Sequence, residues 1–274
     1  MVAMMGWLWE GPVARAPAGD VDVSLVDELR HDVRALAVPR NDAHRDGLRA
    51  ATGYVRDVLA KAGLVVHAEP VAGEAANVVA EATGTLPMPL FGAHLDSFGD
   101  SPGADDNASG VAVMLAVARR WKARRPAHAA RFVAFANEEP PHLFRATMGS
   151  LVHAHGAKAR GDRLGTILVL QSVGARRAGS LTLVSDRASK DLARGLAERL
   201  RDGEVPIALA VLPRVRGPTF SDHWSFREVG WPAAMLTGAP PLRSPHPHGR
   251  ADTPDALDYP RMARLVNALL GAIE

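Results

Sequence analysis

The stretch GAHLDSFGDSPGADDNASG, residues 92–110, decides the fold because it joins a strand pattern to a helix pattern through a loop full of charge. The apolar run PLFGA ends at Ala93, and a helix pattern of small apolar residues begins at Gly110. One histidine and four aspartates lie between them, in an order that a merely solvated loop would not need. The stretch therefore predicts a buried strand whose carboxyl end carries functional groups.

The rest of the chain repeats this alternation. Strand patterns such as LVVHAE, NVVAEA, RFVAFA, TILVLQSV and IALAVL are separated in several places by helix patterns. Strands that alternate with helices predict an α/β fold, because helices then cover both faces of the sheet. We expect a three-layer α/β/α sandwich with a mostly parallel mixed central sheet. Residues 24–274 are predicted to form a single domain, and residues 1–23 an N-terminal extension.

The composition excludes several classes of function. Lys and Arg number 32 against 30 Asp and Glu, the arginines are scattered, and only 5% of residues are aromatic. This pattern argues against nucleic acid as a partner, since neither a basic stripe nor a stacking platform is visible. The chain has no cysteine, which removes disulfides, thiolate zinc sites and cysteine nucleophiles. Any metal site must therefore use nitrogen and oxygen ligands.

The apolar runs are too short for a membrane span. The longest, residues 111–118, falls far below the roughly 20 residues that a spanning helix needs. The opening MVAMMGWLWEG is apolar but has no Lys or Arg ahead of it, which makes it a poor secretory signal. We expect a cytoplasmic protein without a membrane partner, with secretion as the alternative.

Acidic and imidazole side chains gather at the predicted ends of several strands. Glu138 and Glu139 follow RFVAFA, and Gln171 closes TILVL. The segments SDHWSF and SPHPHGRADTPD add Asp222, His223, His246, His248 and Asp252. Carboxylates clustered at buried strand ends repel one another, and a divalent cation is the usual means of holding them together. Ligands of this kind favour zinc, with manganese or cobalt as substitutes.

The spacing of these residues suggests their roles. His94 offers a nitrogen ligand, and Asp96 is placed to accept the other ring N–H of His94. Asp105 offers two oxygens, enough to bridge two ions about 3.5 to 4 Å apart. Glu138 and Glu139 are adjacent and must diverge, so that one binds metal while the other faces the bound water as general base. Asn107 is predicted to cap the following helix.

Three motifs together resemble those of the co-catalytic zinc aminopeptidase family. They are GAHLDSFGDSPGADDNASG, NEEPP followed by MGS, and SDHWSF followed by HGRADTPDALDY. That family includes bacterial leucyl aminopeptidases, and glutaminyl cyclases and glutamate carboxypeptidase catalytic domains are its relatives. The resemblance implies a zinc metallo-exopeptidase fold and an aminopeptidase that acts on a peptide or aminoacyl substrate with a free N-terminus.

The resemblance also implies roles for individual residues. The metal ligands would be His94, Asp105 as the bridge, Glu139 and His248, with Glu138 as the general base for a zinc-bound water. The spacing to Asp252 favours His248 over His246 as the late ligand. For Asp222 and His223 we expect contacts to substrate or to the ligands rather than ligation.

One position departs from the family pattern. Gln171 stands where an acidic ligand usually ends the strand, and a neutral amide oxygen is the weaker ligand, so the number of metal ions stays at one or two. A single-zinc acyltransferase of the glutaminyl cyclase kind and a metal-poor pseudoenzyme are therefore the alternatives. The chain contains no H-E-x-x-H helix and no phosphate loop, which argues against the hydrolase classes that use them.

Overall fold

The computed structural model describes residues 8–13, 19–124, 127–176, 179–201, 205–212, 221–238 and 248–273. Its strands are β1 (Leu8–Val13), β2 (Val65–Ala72), β3 (Ala75–Ala82), β4 (Met88–His94), β5 (Ala130–Phe135), β6 (Leu164–Gln171), β7 (Leu181–Asp186), β8 (Ile207–Leu212) and β9 (Ala234–Thr237). Its α-helices are α1 (Val23–Leu36), α2 (Arg45–Lys61), α3 (Gly110–Arg124), α4 (Gly149–Arg160), α5 (Lys190–Arg201), α6 (His223–Glu228) and α7 (Tyr259–Ala272).

The strands of the described ranges form one mixed sheet in the order β1-β8-β7-β9-β6-β4-β5-β3-β2. Its centre is parallel, because β4 pairs in parallel with β5 and β6, and β6 pairs in parallel with β9. Antiparallel pairing joins β3 to β2 and β5 on one side, and β7 to β9 and β1 to β8 on the other. The predicted α/β sandwich is confirmed, with β7–β8 as the parallel pair outside the centre.

Helices cover both faces of the sheet, as the alternation predicts. One face packs against α1, α2, α3, α5 and α7 in the main hydrophobic core. In α1 the residues Leu25, Leu29, Val33 and Leu36 form the predicted apolar stripe, and all four are buried. Each such leucine stabilises the fold by about 1.5–3 kcal/mol through burial. The opposite face packs against α4 and α6 through Ala154 and Phe226.

Helix α3 starts directly behind the charged loop and lies deep in the core. Every residue from Gly110 to Ala118 is buried, and the helix packs against α1, α7 and the central strands. The side chain of Asn107 bonds its first turn to β6, because its Oδ1 accepts the N–H groups of Gly110 (3.2 Å) and Ser172 (3.0 Å). The predicted capping role of Asn107 is therefore confirmed.

Part of the predicted N-terminal extension belongs to the sheet. Residues 8–13 form β1, which pairs antiparallel with β8 at one edge. The domain boundary at residue 23 stays a prediction. Among the helices of the described ranges, none combines the length and the apolar character that crossing a bilayer requires. The compartment stays a prediction as well.

Candidate active site

The three central parallel strands bring the predicted site residues to one edge of the sheet. His94 is the last residue of β4 and pairs in register with Phe135 at the end of β5, two residues before Asn137. Glu138 and Glu139 follow in the next loop, and Gln171 ends β6. Carboxyl ends of neighbouring parallel strands lie side by side, so these groups meet although they are far apart in the chain.

His94 lies at the centre of the cluster and is fully buried. Its Nε2 atom is 3.2 Å from Asp106 Oδ1 and 3.9 Å from Glu138 Oε2. Its Nδ1 atom is 3.2 Å from the Asp96 carbonyl oxygen and 3.4 Å from Asp96 Oδ1. Burial alone would lower the pKa of His94, but the surrounding carboxylates of Glu138, Asp106 and Asp96 outweigh it and raise the pKa well above its usual value.

Asp96 ties the β4 loop to the β5 loop. Its two carboxylate oxygens accept the backbone N–H groups of Glu138 (3.0 Å) and Glu139 (2.9 Å). Burial acts to raise the pKa of Asp96, but the bonds from His94 and from these two amides lower it. The geometry suits the role predicted for Asp96, since one carboxylate orients the imidazole and both glutamates.

Asp106, Glu139 and His248 form a group of potential ligands whose donor atoms all lie within 4.8 Å of one another. His248 Nε2 is 3.3 Å from Glu139 Oε2 and 3.9 Å from Asp106 Oδ2. The imidazole of His248 also stacks on Phe98, with ring centroids 4.1 Å apart. A second group of potential ligands joins His94, Glu138 and Glu139. The alternative late histidine, His246, lies outside the described residues.

The structure places Asp106, not Asp105, between the two histidines. Asp105 turns away, because its Oδ1 accepts the N–H of Gly174 (2.8 Å) and the hydroxyl of Ser109 (3.2 Å). Burial and the neighbouring Asp252 raise the pKa of Asp105 to about 7. The orientation of Asp105 does not fit the predicted bridging role, and Asp106 is the aspartate whose carboxylate lies near both histidines.

The reason is the backbone of the turn Ala104–Ser109, in which Asp106 has non-helical angles of φ −108° and ψ 86°. Two adjacent aspartates then project in different directions. Asp252 fixes this turn, since its carboxylate accepts the N–H groups of Asp105 (2.6 Å) and Asp106 (3.0 Å). No signal in the letters ADDN distinguishes the two aspartates. The position of Asp252 in the sequence indicates only a spacing to His248 and gives no sign of this role.

Gln171 reaches the cluster with its amide nitrogen. The Nε2 atom donates to Asp106 Oδ1 (2.7 Å), and the Oε1 atom accepts from the Ser221 hydroxyl (3.0 Å). An ionised carboxylate only accepts hydrogen bonds, which explains the orientation of the amide. Position 171, where the family pattern leads one to expect an acidic ligand, therefore supplies a hydrogen-bond donor to the carboxylate of Asp106.

Glu138 and Asp222 are the remaining acidic side chains of the cluster. Burial raises the pKa of Glu138 well above its usual value, and Glu139 and Asp222 add to the shift by repulsion. Burial also raises the pKa of Asp222 to about 7. His223 follows Asp222 but has Asp186 and Arg227 as its charged neighbours, and burial lowers its pKa to about 4. Among the predicted accessory residues, the structure thus brings Asp96 and Asp222 to the cluster but not His223.

The donor set fits a divalent metal ion. Asp96, Asp106, Glu138 and Glu139 are carboxylates whose side chains are at most 15% exposed, and two imidazoles lie among them. So much buried negative charge is costly unless a cation offsets it. Carboxylate oxygens with imidazole nitrogens are ligands that zinc accepts. Asp106, Glu139 and His248 supply three of them at one point.

Comparison with known proteins gives one family match and several relatives of modest identity. The model of "Peptidase family M28" matches residues 77–273. The uncharacterized protein YfbL of Escherichia coli (strain K12) is 29% identical over 89% of this chain and 86% of its own length. The "probable leucine aminopeptidase 1" of Trichophyton verrucosum is 26% identical over 72% of this chain and 57% of its own length. The chain thus spans little more than half of that relative.

Solved structures share the fold at lower identity. LapB from Legionella pneumophila superposes with a TM-score of 0.76 at 19% identity, over 92% of this chain and 71% of its own. The glutaminyl cyclase of Tannerella forsythia superposes with a TM-score of 0.72 at 17% identity, over 93% of this chain and 99% of its own. These two likenesses establish the α/β architecture and nothing beyond it.

Proposed function

The chain belongs to peptidase family M28, and we propose that it is a metal-dependent aminopeptidase that removes the first residue of a peptide with a free N-terminus. One observation carries the proposal: Glu138 lies within 4.8 Å, donor atom to donor atom, of Glu139, which belongs to the three-donor group of Asp106, Glu139 and His248. A base next to a metal-ligand group is the arrangement that hydrolysis of an amide by water requires. The leucine aminopeptidase relatives support the choice of substrate end.

Glu138 is the residue proposed to move the proton. It takes a proton from the water that attacks the scissile carbonyl, and the C–N bond then breaks as Glu138 returns that proton to the leaving amine. Burial raises the pKa of Glu138, which makes its ionised carboxylate a stronger proton acceptor. Asp96 holds the backbone at Glu138 and Glu139, which aims one carboxylate at the water and the other at the metal.

The ion proposed for the site is zinc, with manganese or cobalt as substitutes, held by Asp106, Glu139 and His248. When bound, such an ion lowers the pKa of water and polarises the carbonyl of the substrate. His94 hydrogen bonds to Asp106 and keeps its carboxylate directed toward the other two ligands.

A glutaminyl cyclase-like acyl transfer is the second candidate, and Gln171 favours it. The amide nitrogen of Gln171 faces Asp106, so the His94 half of the cluster lacks the acidic ligand that a second ion would need. A single-ion site suits the intramolecular attack of an N-terminal amine, because no water has to be activated. Solved glutaminyl cyclases share the fold, so the fold does not distinguish acyl transfer from peptide hydrolysis. The chemistry of the site has to distinguish these two activities.

The test is an assay of the full chain on two kinds of substrate. Aminoacyl amides and short peptides report release of the first residue, and a peptide that begins with glutamine reports ammonia loss without shortening. We expect release of the first residue, its abolition by a chelator and its recovery when zinc is added back. Ammonia loss without shortening would favour the cyclase, and activity that survives complete metal removal would refute the proposed mechanism.

A further inference from the structure

Arg40 is a fully buried cation beside the candidate active site. It lies between α1 and α2, and no part of it reaches solvent. Burial lowers the pKa of Arg40 to about 10, while Asp96, Asp252, Asp106 and Glu139 act in the opposite direction. A buried arginine normally pairs with carboxylates at close range, and this one forms no ion pair with a carboxylate in the part of the chain that the structure describes.

All the hydrogen bonds that the structure records for the Arg40 guanidinium go to backbone carbonyl oxygens. Two acceptors, Leu36 (2.8 Å) and Val38 (3.1 Å), lie at the end of α1. The other three lie in the loop that follows β4; they are the carbonyl oxygens of Leu95, Pro102 (2.6 Å) and Gly103 (2.9 Å). One side chain therefore fastens both ends of residues 95–103.

The backbone next to Arg40 adds further bonds to the same loop. The N–H of Arg40 donates to the Ser97 hydroxyl (3.1 Å), and the side chain of Asn41 donates to the carbonyl oxygens of Ser97 and Gly99, each at 2.7 Å. Gly103, which accepts a hydrogen bond from Arg40, has a positive φ of +59° that favours glycine. A Cβ there would lie 2.5 Å from Asp106 O and 3.1 Å from Arg40 Nη2.

The fastened loop connects the groups proposed to bind metal. It runs from His94 to the turn that carries Asp106, and Asp96 within it orients Glu139. The hydroxyl of Ser101 reaches Gly249 O (3.0 Å), directly after His248. A shift of residues 95–103 would therefore move all three proposed ligands relative to one another.

We propose that Arg40 is a positioning residue that sets the affinity of this chain for its metal ion by holding residues 95–103 in the ligand-bearing conformation. The inference rests on the metal site of the proposed function. The direction of the change in zinc affinity distinguishes a positioning role of Arg40 from a purely electrostatic one. A nearby positive charge repels a metal ion, so loss of the charge alone would tighten binding. Loss of the positioning bonds would weaken it.

The experiment measures the zinc dissociation constant of the full chain, without any peptide, by competition with a chelating dye. The variants are Arg40→Met, which removes charge and bonds, and Arg40→Lys, which keeps the charge but not the planar fork. Arg131→Met is the matched control. Arg131 is also a buried arginine, but it pairs with Glu81 and Asp162 at the start of β5, the strand whose far end leads to Glu138.

We expect Arg40→Met to weaken zinc binding by about 10- to 100-fold, the range typical of residues that orient metal ligands, and Arg40→Lys to weaken it less. The melting temperature should fall in Arg131→Met too, with an unchanged dissociation constant. Tighter or unchanged binding in folded Arg40→Met would overturn the proposal. If that variant does not fold, Arg40→Lys decides, and binding equal to that of the unaltered chain overturns it.

Hydrogen exchange of the metal-free protein gives an independent readout. Amides in residues 95–103 should lose protection in the Arg40 variants but not in Arg131→Met, and equal protection would contradict the positioning role. Neither measurement uses peptide hydrolysis. A chain that binds zinc but cleaves no peptide would refute the proposed function and leave the result for Arg40 standing.

Discussion

The two halves of the acidic cluster differ in what satisfies their polar groups. In the half around His94, the imidazole and the Gln171 amide both hydrogen bond to Asp106 Oδ1, at 3.2 Å and 2.7 Å. In the half around Glu139 and His248, the groups are drawn together by charge, and the His248 side chain is 36% exposed. The first half is closed by internal hydrogen bonds, while the second offers ligands toward the solvent side.

This difference shows how one neutral side chain, Gln171, sets the chemistry of one half of the cluster. A carboxylate at position 171 would repel Asp106 and need a cation between them, whereas the Gln171 amide bonds to Asp106 directly. Protein donors thus satisfy the Oδ1 atom of Asp106 in this half of the cluster. We expect the ion to bind in the half formed by Asp106, Glu139 and His248.

The largest effect is expected for Glu138→Gln, at the junction of the halves. The variant keeps the shape of the side chain but loses the base, and general bases typically contribute about 10²- to 10⁴-fold to rate. We expect kcat on an aminoacyl amide to fall by that factor, with zinc content unchanged. Activity close to that of the unaltered chain would remove Glu138 from the role of base.

Asp106→Asn is expected to weaken zinc binding by more than the roughly 10- to 100-fold that loss of an outer partner costs, because Asp106 is a proposed ligand. Asp105→Asn is the matched control, since its amide oxygen can still accept from Gly174 and Ser109. Zinc titration of both variants checks this. If Asp105→Asn proves the more damaging, the assignment of Asp106 is wrong.

Gln171→Asp tests the closed half directly. The new carboxylate should repel Asp106 and create a place for a second cation beside His94. Metal analysis by mass spectrometry is expected to rise from one zinc ion per chain to two. Two ions in the unaltered chain would contradict the division of the cluster into a closed and an open half.

The smallest effect on zinc affinity is expected for Phe98→Ala, in the half formed by Asp106, Glu139 and His248. The ring of Phe98 stacks on His248 with an interplanar angle of 18°. Aromatic pairs contribute about 0.5–1.5 kcal/mol beyond buried area, which corresponds to a roughly 2- to 10-fold loss of zinc affinity. Competition with a chelating dye measures it, and an unchanged affinity would show that Glu139 alone orients His248.

Much of the site was predictable because its residues close the central strands. His94, Glu138, Glu139 and Gln171 each end a strand or follow one closely, and parallel pairing brings them together. The local pattern could not choose between Asp105 and Asp106, because that choice depends on backbone angles that Asp252 stabilises from the other end of the chain. Arg40 gave no local signal, since its acceptors are carbonyl oxygens, which every residue possesses.

By itself, the order of amino acids determined the alternation of strands and helices and the inventory of donors, a set of carboxylates and imidazoles without sulfur. Hydrophobic period and side-chain chemistry are local properties, so they can be read from the chain directly. Only the tertiary structure decided which aspartate faces the histidines, that the Gln171 amide donates to it, and that a buried arginine holds the loop between them. Those outcomes depend on directions and distances between segments that fold together from distant parts of the sequence.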